Sequence, residues 1–331
     1  MRSLHRRSVG SREDNGGFSL VELMISLVLG LLVTAAAVSI FLSNQRTFRA
    51  TESLARIQED GRVAFELMAR DLRQAAGNPC GRNLPVANVL NGASASTAPW
   101  WMDWNRGIVG YDNGSLARTA DGTDAVEFVS SGSQVATVIE HGKPAAGGPA
   151  SFRLNTTGHD FGDGDIILVC DYSQVSILQL SRASEGSSTI EYVRGSGSPG
   201  NCTTDLALPV LCGASGGGKT YGPGSLVARF DVTRWFVDDN GRGGRSLYRA
   251  VMGAGASKPR DEVAEHIQDL QLTYLVAGAG VYVPASAGLD WNNVVAMRIR
   301  ISLQGAEKAG VDGSHLERAM IHTVTLRNRT S

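Results

Sequence analysis

The sequence predicts an α+β fold, with one long amino-terminal helix followed by a mainly antiparallel β head. Two observations carry this prediction. Residues 18–42 contain a single charged side chain, that of Glu22. Beyond residue 79, apolar side chains recur with a period of two, and the 40 glycines among 331 residues indicate frequent turns. With 42% hydrophobic residues, the chain is long and apolar enough to bury a core.

The charge balance says little in favour of a nucleic-acid partner. The formal net charge is −1, and no stripe of Lys and Arg is interleaved with aromatic residues. Proteins that bind DNA or RNA without such a basic surface are uncommon, because phosphate contacts supply most of the affinity. We therefore predict no nucleic-acid binding.

The apolar run at 18–42 predicts a membrane-spanning helix. A bilayer core takes about 20 helical residues. A buried core helix is the alternative, but such helices are seldom apolar on every face over this length. The run is too long for an ordinary secretory signal, and no small-residue cleavage site follows it. Four basic residues before the run predict a cytoplasmic leader: Arg2, Arg6, Arg7 and Arg12. Two basic residues after the run, Arg46 and Arg49, weaken this prediction of the orientation.

An amphipathic extension of the helix is predicted over 43–77. Apolar residues continue at steps of three, four or seven: Leu54, Ile57, Ala64, Met68 and Leu72. Gly77 and Pro79 are typical of a helix end. Gly30 and Gly61 are expected to bend or melt the helix, because glycine disfavours helix interiors. A coiled coil is the alternative, but no clean heptad persists, and packing in a bundle of helices fits better.

The head is predicted from alternating patterns. Val295, Met297, Ile299, Ile301 and Leu303 are expected on one face of a half-buried strand, and Leu270, Leu272, Tyr274 and Val276 alternate in the same way. Residues 234–250 predict a hairpin with a turn at Asn240-Gly241. Further strands are predicted at 124–129, 166–170, 175–181, 188–193, 226–237 and 321–327.

The amino terminus resembles a known family. Residues 16–22, GGFSLVE, are similar to the type IV prepilin signature: a leader that ends in glycine, Phe as first mature residue and Glu as fifth. The resemblance implies that residues 1–17 are a leader, and that a prepilin peptidase cuts after Gly17 and methylates the new amino terminus at Phe18. It also implies that Glu22 attracts the positively charged amine of a neighbouring pilin, and so acts in subunit assembly.

The head resembles the PilW-type minor pilins. The similarity lies in residues 162–181, 267–276 and 322–329. It implies a periplasmic, pilin-like head over 78–331, carried by a helix in the bacterial inner membrane. Incorporation into the surface pilus is the second location that the resemblance allows. Residues 194–225 match no family motif, and we interpret this Gly-rich stretch as a loop insertion at the surface.

The resemblance implies a function without catalysis. PilW-type proteins join other minor pilins in a complex that primes assembly of the major pilin, and so support adhesion and twitching motility. The implied partners are those pilins, the prepilin peptidase, the inner-membrane assembly machinery and inner-membrane lipid. Two alternatives remain: a pseudopilin of type II secretion, and a membrane-tethered periplasmic domain that binds a ligand or acts as an enzyme. A simple tether has no need for Glu22.

Four cysteines lie beyond the predicted span, in the part that would be periplasmic. An oxidising compartment favours two disulfides, with three possible pairings. We favour Cys202 with Cys212, which are neighbours across one loop, and this leaves Cys80 with Cys170. A zinc site is the alternative, but the chain has no CxxC pair and the cysteine spacings are not those of a zinc module. We therefore predict no metal.

Two motif matches point to other functions. Residues 213–220 match both the phosphate-binding GxxxxGK[ST] loop and, at 213–217, the GxSxG nucleophile elbow. Both need a helix directly afterwards, whereas Tyr221-Gly222-Pro223-Gly224 follows. The matches are therefore interpreted as a consequence of clustered glycines. We predict no catalytic residues and no cofactor.

Clustered acidic residues could hold calcium at two places. The first cluster is Asp160, Asp163 and Asp165, and the second is Asp238, Asp239 and Asn240. Neither has the spacing of an EF-hand loop, so we interpret both as solvated turns. The six histidines show no HExxH motif or paired spacing.

Overall fold

The predicted fold class is confirmed: one long apolar helix precedes a mostly antiparallel β head. The computed structural model describes residues 19–144, 148–213, 218–253, 256–257, 260–305, 307–308, 310 and 313–329. The chain divides into two compact units, Met1–Glu52 and Ser53–Ser331. The single α-helix of the described residues, α1, spans Leu20–Leu72.

Within the described residues the head contains 14 strands. They are β1 (Val86–Asn88), β2 (Ile108–Tyr111), β3 (Ala125–Gly142), β4 (Ala150–Leu154), β5 (Ile166–Cys170), β6 (Val175–Gln179), β7 (Thr189–Tyr192), β8 (Leu226–Asp239), β9 (Arg245–Gly253), β10 (Ala256–Ser257), β11 (Asp261–Glu265), β12 (Ile267–Val276), β13 (Val294–Gln304) and β14 (Glu317–Thr325). Short 3-10 helices lie at Trp100–Met102 and Trp291–Asn293.

The strands form two sheets. The larger has the order β1-β6-β5-β8-β3-β4-β7, with β2 added on β3, β9 on β8, and β10 and β11 on β9. Among the strand pairs that the structure describes in this sheet, β1–β6 is the one parallel pair. The smaller is an antiparallel sheet of order β12-β13-β14. The long strands β3 and β8 pair with each other through the centre of the larger sheet.

The smaller sheet carries the predicted alternation. Met297, Ile299, Ile301 and Leu303 are buried, while Arg298 and Arg300 between them are exposed. The pattern breaks at the start of β13, where Ala296 is buried as well and Val295 is only partly buried. The first residues of this strand therefore have neighbours on both faces, which a period of two does not predict.

The second half of α1 packs within the Ser53–Ser331 unit. Ile57, Ala64, Met68 and Leu72 are at most 1% exposed and share one apolar core with residues of the smaller sheet. These residues recur at the helical spacing that predicted the amphipathic extension. Burial of this stripe is what holds the helix on the sheet.

Gly61 lets the helix approach the sheet closely. A Cβ at this position would lie 2.5 Å from Sδ of Met320 and 3.4 Å from Cδ1 of Leu303. The helix does not melt at Gly30 or Gly61, since α1 continues through both. At Gly61 the absent side chain makes room for a neighbouring strand.

The helix ends at Leu72, earlier than the predicted limit of 77. Gln74 and Ala75 donate to carbonyl oxygens three residues back, which tightens the last turn. Ala76 then takes a positive φ of 56° and donates its N–H to the carbonyl of Val129 in β3 at 2.7 Å. The chain leaves the helix because its backbone joins the larger sheet.

The hairpin between β8 and β9 has a longer turn than predicted. Asp239 pairs with Arg245, so five residues, 240–244, connect the strands in place of a two-residue Asn240-Gly241 turn. The Asn240 side chain accepts from the Arg242 N–H at 2.8 Å, and Gly241 and Gly243 both have positive φ. Two glycines in the left-handed region make the longer loop accessible.

Gly110 in β2 gives a sharp test of the packing. A Cβ there would lie 2.1 Å from Oη and 2.4 Å from Cζ of Tyr274, a fully buried ring stacked edge-on against Trp291. We expect Gly110→Ala to lower the free energy of unfolding by about 2 to 3 kcal/mol, because the new methyl group would overlap a fully buried ring. Urea unfolding of the full chain in detergent measures it.

Two variants control this prediction. Gly280→Ala adds the same methyl group where no atom lies within 4 Å, and should change stability by less than about 0.5 kcal/mol. Tyr274→Phe in the Gly110→Ala background should recover part of the loss, since it removes the nearest atom, a hydroxyl that has no hydrogen-bond partner among the described residues. Equal stability of the two glycine variants would contradict the packing.

Candidate assembly site

Ser19 and Glu22 form the amino-terminal cap of α1. The Glu22 N–H donates to Oγ of Ser19 at 3.2 Å. In return, Oε2 of Glu22 accepts from the Ser19 N–H at 3.2 Å and from its hydroxyl at 3.3 Å. This reciprocal pair is a capping box, which satisfies two backbone donors that a helix start otherwise leaves unpaired.

The capping box gives Glu22 a role that the sequence analysis missed. The Ser-x-x-Glu spacing at 19–22 is the sequence signal for it. A carboxylate in the first turn also lies at the positive end of the helix macrodipole, which stabilises it. Among the hydrogen bonds of the described residues, only Oε2 takes part in the cap, which leaves Oε1 for a further partner. The predicted processing residues, Gly17 and Phe18, lie outside the described residues.

The first half of α1 presents apolar side chains all around. From Leu20 to Leu42 every residue is exposed within its unit. By length and composition, α1 is long and apolar enough to cross a membrane, and it is the one such helix in the described part of the chain. An apolar surface of this extent is stable in lipid or against other apolar helices, not in water.

Two polar contacts fix the second half of the helix on the head. Oδ2 of Asp71 accepts from Nε of Arg249 at 2.6 Å and from Nε1 of Trp235 at 3.3 Å. Asp60 lies 3.0 Å from Nδ1 of His266. Both carboxylates are partly buried. They tie the helix to strands β8 and β9 and to His266, which lies between β11 and β12.

The head contains two disulfides. Cys80, in the segment after the helix, is bonded to Cys170 at the end of β5, and Cys202 is bonded to Cys212 across ten residues. This is the pairing that the sequence analysis favoured, and it leaves no thiolate for the zinc alternative. The first bridge is largely buried, with Cys170 fully so, and Cys212 of the second is exposed.

The Gly-rich stretch 194–225 is more than a surface insertion. Its described residues form no helix and no strand beyond isolated bridges. Leu206 and Tyr221 nevertheless belong to a buried core of the head. The buried Asn201 side chain accepts from the Gln179 N–H and donates to its carbonyl, both at 2.7 Å. The apolar and amide side chains of this stretch thus anchor it in the head. The interpretation as a loop insertion at the surface did not predict these contacts.

The two motif matches in this stretch have no geometry for catalysis in the part the structure describes. Residues 214–217, which hold their central glycines and Ser215, lie outside the described residues. Lys219 is paired with Asp171 and donates to Oγ of Ser173 at 2.7 Å. The chain continues through a turn into β8, so no helix follows to bind phosphate or position a serine.

The acidic clusters are used within the head. Asp160 pairs with Arg229 at 2.8 Å, while Asp163 and Asp165 accept backbone N–H groups of Ala183 and Gly162 at 2.7 and 2.9 Å. Asp238 pairs with Arg260 and Asp239 lies 3.8 Å from Arg245. Among the described residues, no group of three or more His, Cys, Asp or Glu side chains could hold a metal ion.

A buried polar cluster surrounds His141. Its Nδ1 accepts from the Tyr221 N–H at 3.1 Å, and its Nε2 lies 2.8 Å from Oη of Tyr192. Burial, aided by the charge of Lys143, lowers the pKa of His141 to about 4. Oη of Tyr221 also bonds to Oγ of Ser176 at 2.7 Å. The imidazole is neutral and held on both sides by its neighbours, so it acts as a structural member of the core.

Comparison with known families agrees with these features. Residues 234–328 match the family model PilW, type IV pilus-assembly protein W. Residues 14–38 match the prokaryotic N-terminal methylation motif, N_methyl. The first match covers the smaller sheet on which the helix packs, and the second covers Gly17, Phe18 and the capping box. No curated protein matches the chain.

The matches confirm the predicted resemblance and support a role related to the type IV pilus, in a pilin anchored in a membrane. They also favour a structural role over catalysis. The chain thus combines an amino-terminal prepilin methylation motif with a carboxy-terminal PilW domain.

Proposed function

We propose that this chain is a minor pilin that joins other minor pilins in a priming complex for type IV pilus assembly. One observation carries the proposal: the prepilin methylation motif and the PilW match occur in the same chain, at its two ends. The alternative of a tethered enzyme lacks an equivalent observation. Its strongest motif, at 213–220, leads into a strand and not into a helix.

In this proposal residues 18–42 span the inner membrane once. Residues 1–17 are a cytoplasmic leader, and the head, from residue 78 onward, lies in the periplasm. The two disulfides support that compartment, since such bonds persist where the surroundings are oxidising. Inner-membrane lipid contacts the exposed apolar side chains of α1 before the subunit enters a bundle of pilin helices.

The first expected result concerns processing. A prepilin peptidase should cut between Gly17 and Phe18 and methylate the new amine of Phe18, because the methylation motif covers both residues. Mass spectrometry of the protein purified from membranes measures the mature amino terminus. Recovery of an intact Met1 leader, in cells where a known prepilin is fully processed, would overturn the proposal.

Deletion of the gene separates the pilus from the secretion apparatus. We expect loss of surface pili and of twitching motility and adhesion, with secretion of exoproteins unchanged. Complementation with the wild-type gene should restore pili, which controls for polar effects on neighbouring genes. Unchanged pili with lost secretion would instead identify a type II secretion pseudopilin, which shares the amino-terminal design.

The partners in this proposal follow from the helix. The major pilin and other minor pilins pack against its apolar first half, and the inner-membrane assembly machinery acts on the complex. Glu22 contributes a carboxylate at the start of that helix, with one oxygen outside the cap. An amine of a neighbouring subunit placed near this oxygen would be attracted strongly, because the surroundings have a low dielectric constant.

A further inference from the structure

Two cavities adjoin on the head and share two residues. The larger, of about 500 Å³, and the smaller, of about 210 Å³, are both lined by Trp104 and Asn105. All of their lining residues belong to the Ser53–Ser331 unit. We call the two cavities together the tryptophan groove. Because the two cavities share an indole in their walls, together they suit an extended ligand better than a compact one.

The wall of the groove contains two tryptophan side chains that residues of the head hold in place. The ring of Trp104 lies 5.9 Å from that of Phe230, which in turn belongs to a buried core of the head. Trp100 lines the larger cavity, and its Nε1 donates to Oε2 of the buried Glu127 at 2.9 Å. Both indoles remain partly exposed. Held from the protein side, they offer a rigid apolar surface that loses little entropy when a ligand binds.

The rim of the groove is polar and of mixed charge. Its exposed side chains offer hydroxyl, carboxamide, carboxylate and guanidinium groups: Ser94, Ser96, Asp103 and Arg106 on the larger cavity, Asn83 and Asn292 on the smaller. The charged side chains that line the two cavities are one carboxylate, Asp103, and three guanidinium groups, those of Arg82, Arg106 and Arg329. The guanidinium group of Arg329 already donates to backbone carbonyl oxygens of the head. A ligand with many hydroxyl groups matches such a rim, because each hydroxyl can donate to a carboxylate or a carboxamide oxygen and accept from a guanidinium or a carboxamide N–H.

We propose that the tryptophan groove binds an oligosaccharide of β-1,4-linked pyranose rings with equatorial substituents. The faces of such a ring carry only C–H groups, which pack on an indole, while its hydroxyls point outward in the ring plane. Trp104, at the junction of the cavities, would stack on one ring. Asn105 and the rim would exchange hydrogen bonds with the hydroxyls of the rings on either side.

The test uses the full chain in a detergent without a sugar headgroup. The probes are cellotriose and N-acetylchitotriose, titrated by calorimetry and by tryptophan fluorescence. We expect saturable binding of at least one of them. Trp104→Ala should weaken binding at least tenfold, which corresponds to about 1.4 kcal/mol. Asn105→Ala changes an exposed side chain and so leaves no cavity in the core. It should weaken the binding of the trisaccharide several-fold.

A matched control is available three residues before Trp104, on the short 3-10 helix Trp100–Met102. Trp101 also contacts Phe230, at 6.1 Å between ring centroids, but lines neither cavity. Trp101→Phe should leave the affinity unchanged. Thermal unfolding of each variant checks that the head is folded.

Three outcomes would overturn the proposal. The first is the absence of saturable binding for both trisaccharides up to about 10 mM, since weaker binding would be below the range of specific recognition. The second is an unchanged affinity in folded Trp104→Ala and Asn105→Ala. The third is Trp104-dependent binding of a proline-rich peptide where neither sugar binds, which would assign the groove to a protein partner.

Discussion

Glu22→Ala should leave insertion and leader cleavage intact but reduce surface pili at least tenfold. Insertion depends on the apolar run, and cleavage on Gly17, and the substitution changes neither. Association should fail because the carboxylate that would attract a neighbouring amine is gone, and a tenfold effect corresponds to about 1.4 kcal/mol of pairing free energy. Gel shift measures processing, co-purification measures association with other pilins, and shearing measures pili, all in one strain.

The capping box provides matched controls for this experiment. Glu22→Gln keeps an acceptor for the Ser19 N–H and so preserves the cap, but removes the charge. Ser19→Ala removes the hydroxyl from the cap and keeps the charge. If the charge drives assembly, Glu22→Gln will behave like Glu22→Ala, and Ser19→Ala will assemble pili.

The opposite pattern would show that the cap is what matters. In that case Glu22→Gln would assemble pili normally, and Ser19→Ala would not. Pilus yield equal to the parent in Glu22→Ala, at matched protein level, would refute any role for this residue in assembly. The carboxylate would then be only a tolerated charge near the headgroups.

Removal of the Cys80–Cys170 bridge should destabilise the head more than removal of the other bridge. It closes a loop with a sequence separation of 90, against 10 for Cys202–Cys212. In the chain-entropy view, the longer loop contributes about 4 to 5 kcal/mol and the shorter about 3 kcal/mol. Urea unfolding of the full chain should show this order for the double variants Cys80→Ala/Cys170→Ala and Cys202→Ala/Cys212→Ala.

Thiol labelling supplies the control for the bridges. The unreduced, unfolded wild-type protein should take up no label, and each double variant should also take up none. Labelled cysteines in the wild-type protein would mean that the bridges do not form in the cell. Equal losses of stability in the two variants would contradict the dependence on loop length.

Local sequence patterns predicted most of the architecture. The apolar run and the period of three to four residues gave the helix, because burial of one stripe leaves a regular mark on the sequence. The alternation over residues 297–303 predicted β13 for the same reason. The cysteine pairing could be favoured from spacing and compartment, since one pair was close in sequence. The prepilin signature predicted the candidate site at Glu22.

Contacts between distant residues escaped prediction. The turn at 73–76 depends on a hydrogen bond to Val129, and the space at Gly61 depends on Met320 in β14. The anchoring of residues 194–225 depends on Gln179 in β6, whose backbone binds the Asn201 side chain and whose own side chain accepts from the Gly200 N–H. The tryptophan groove joins Trp104 to Asn292, far along the chain. Such features arise from the tertiary fold, and one sequence carries no local mark of them.

The packing of α1 also has a mechanical consequence. Its buried stripe runs from Ile57 to Leu72, about 22 Å of helix at 1.5 Å per residue. A force along the helix axis is therefore distributed over several turns of apolar contact. The contacts of Asp60 and Asp71 carry part of the same force. If these contacts break, the disulfide between Cys80 and Cys170 in β5 limits how far the segment after the helix can extend. The helix is thus held on the head first by the packing of its side chains and then by the Cys80–Cys170 disulfide.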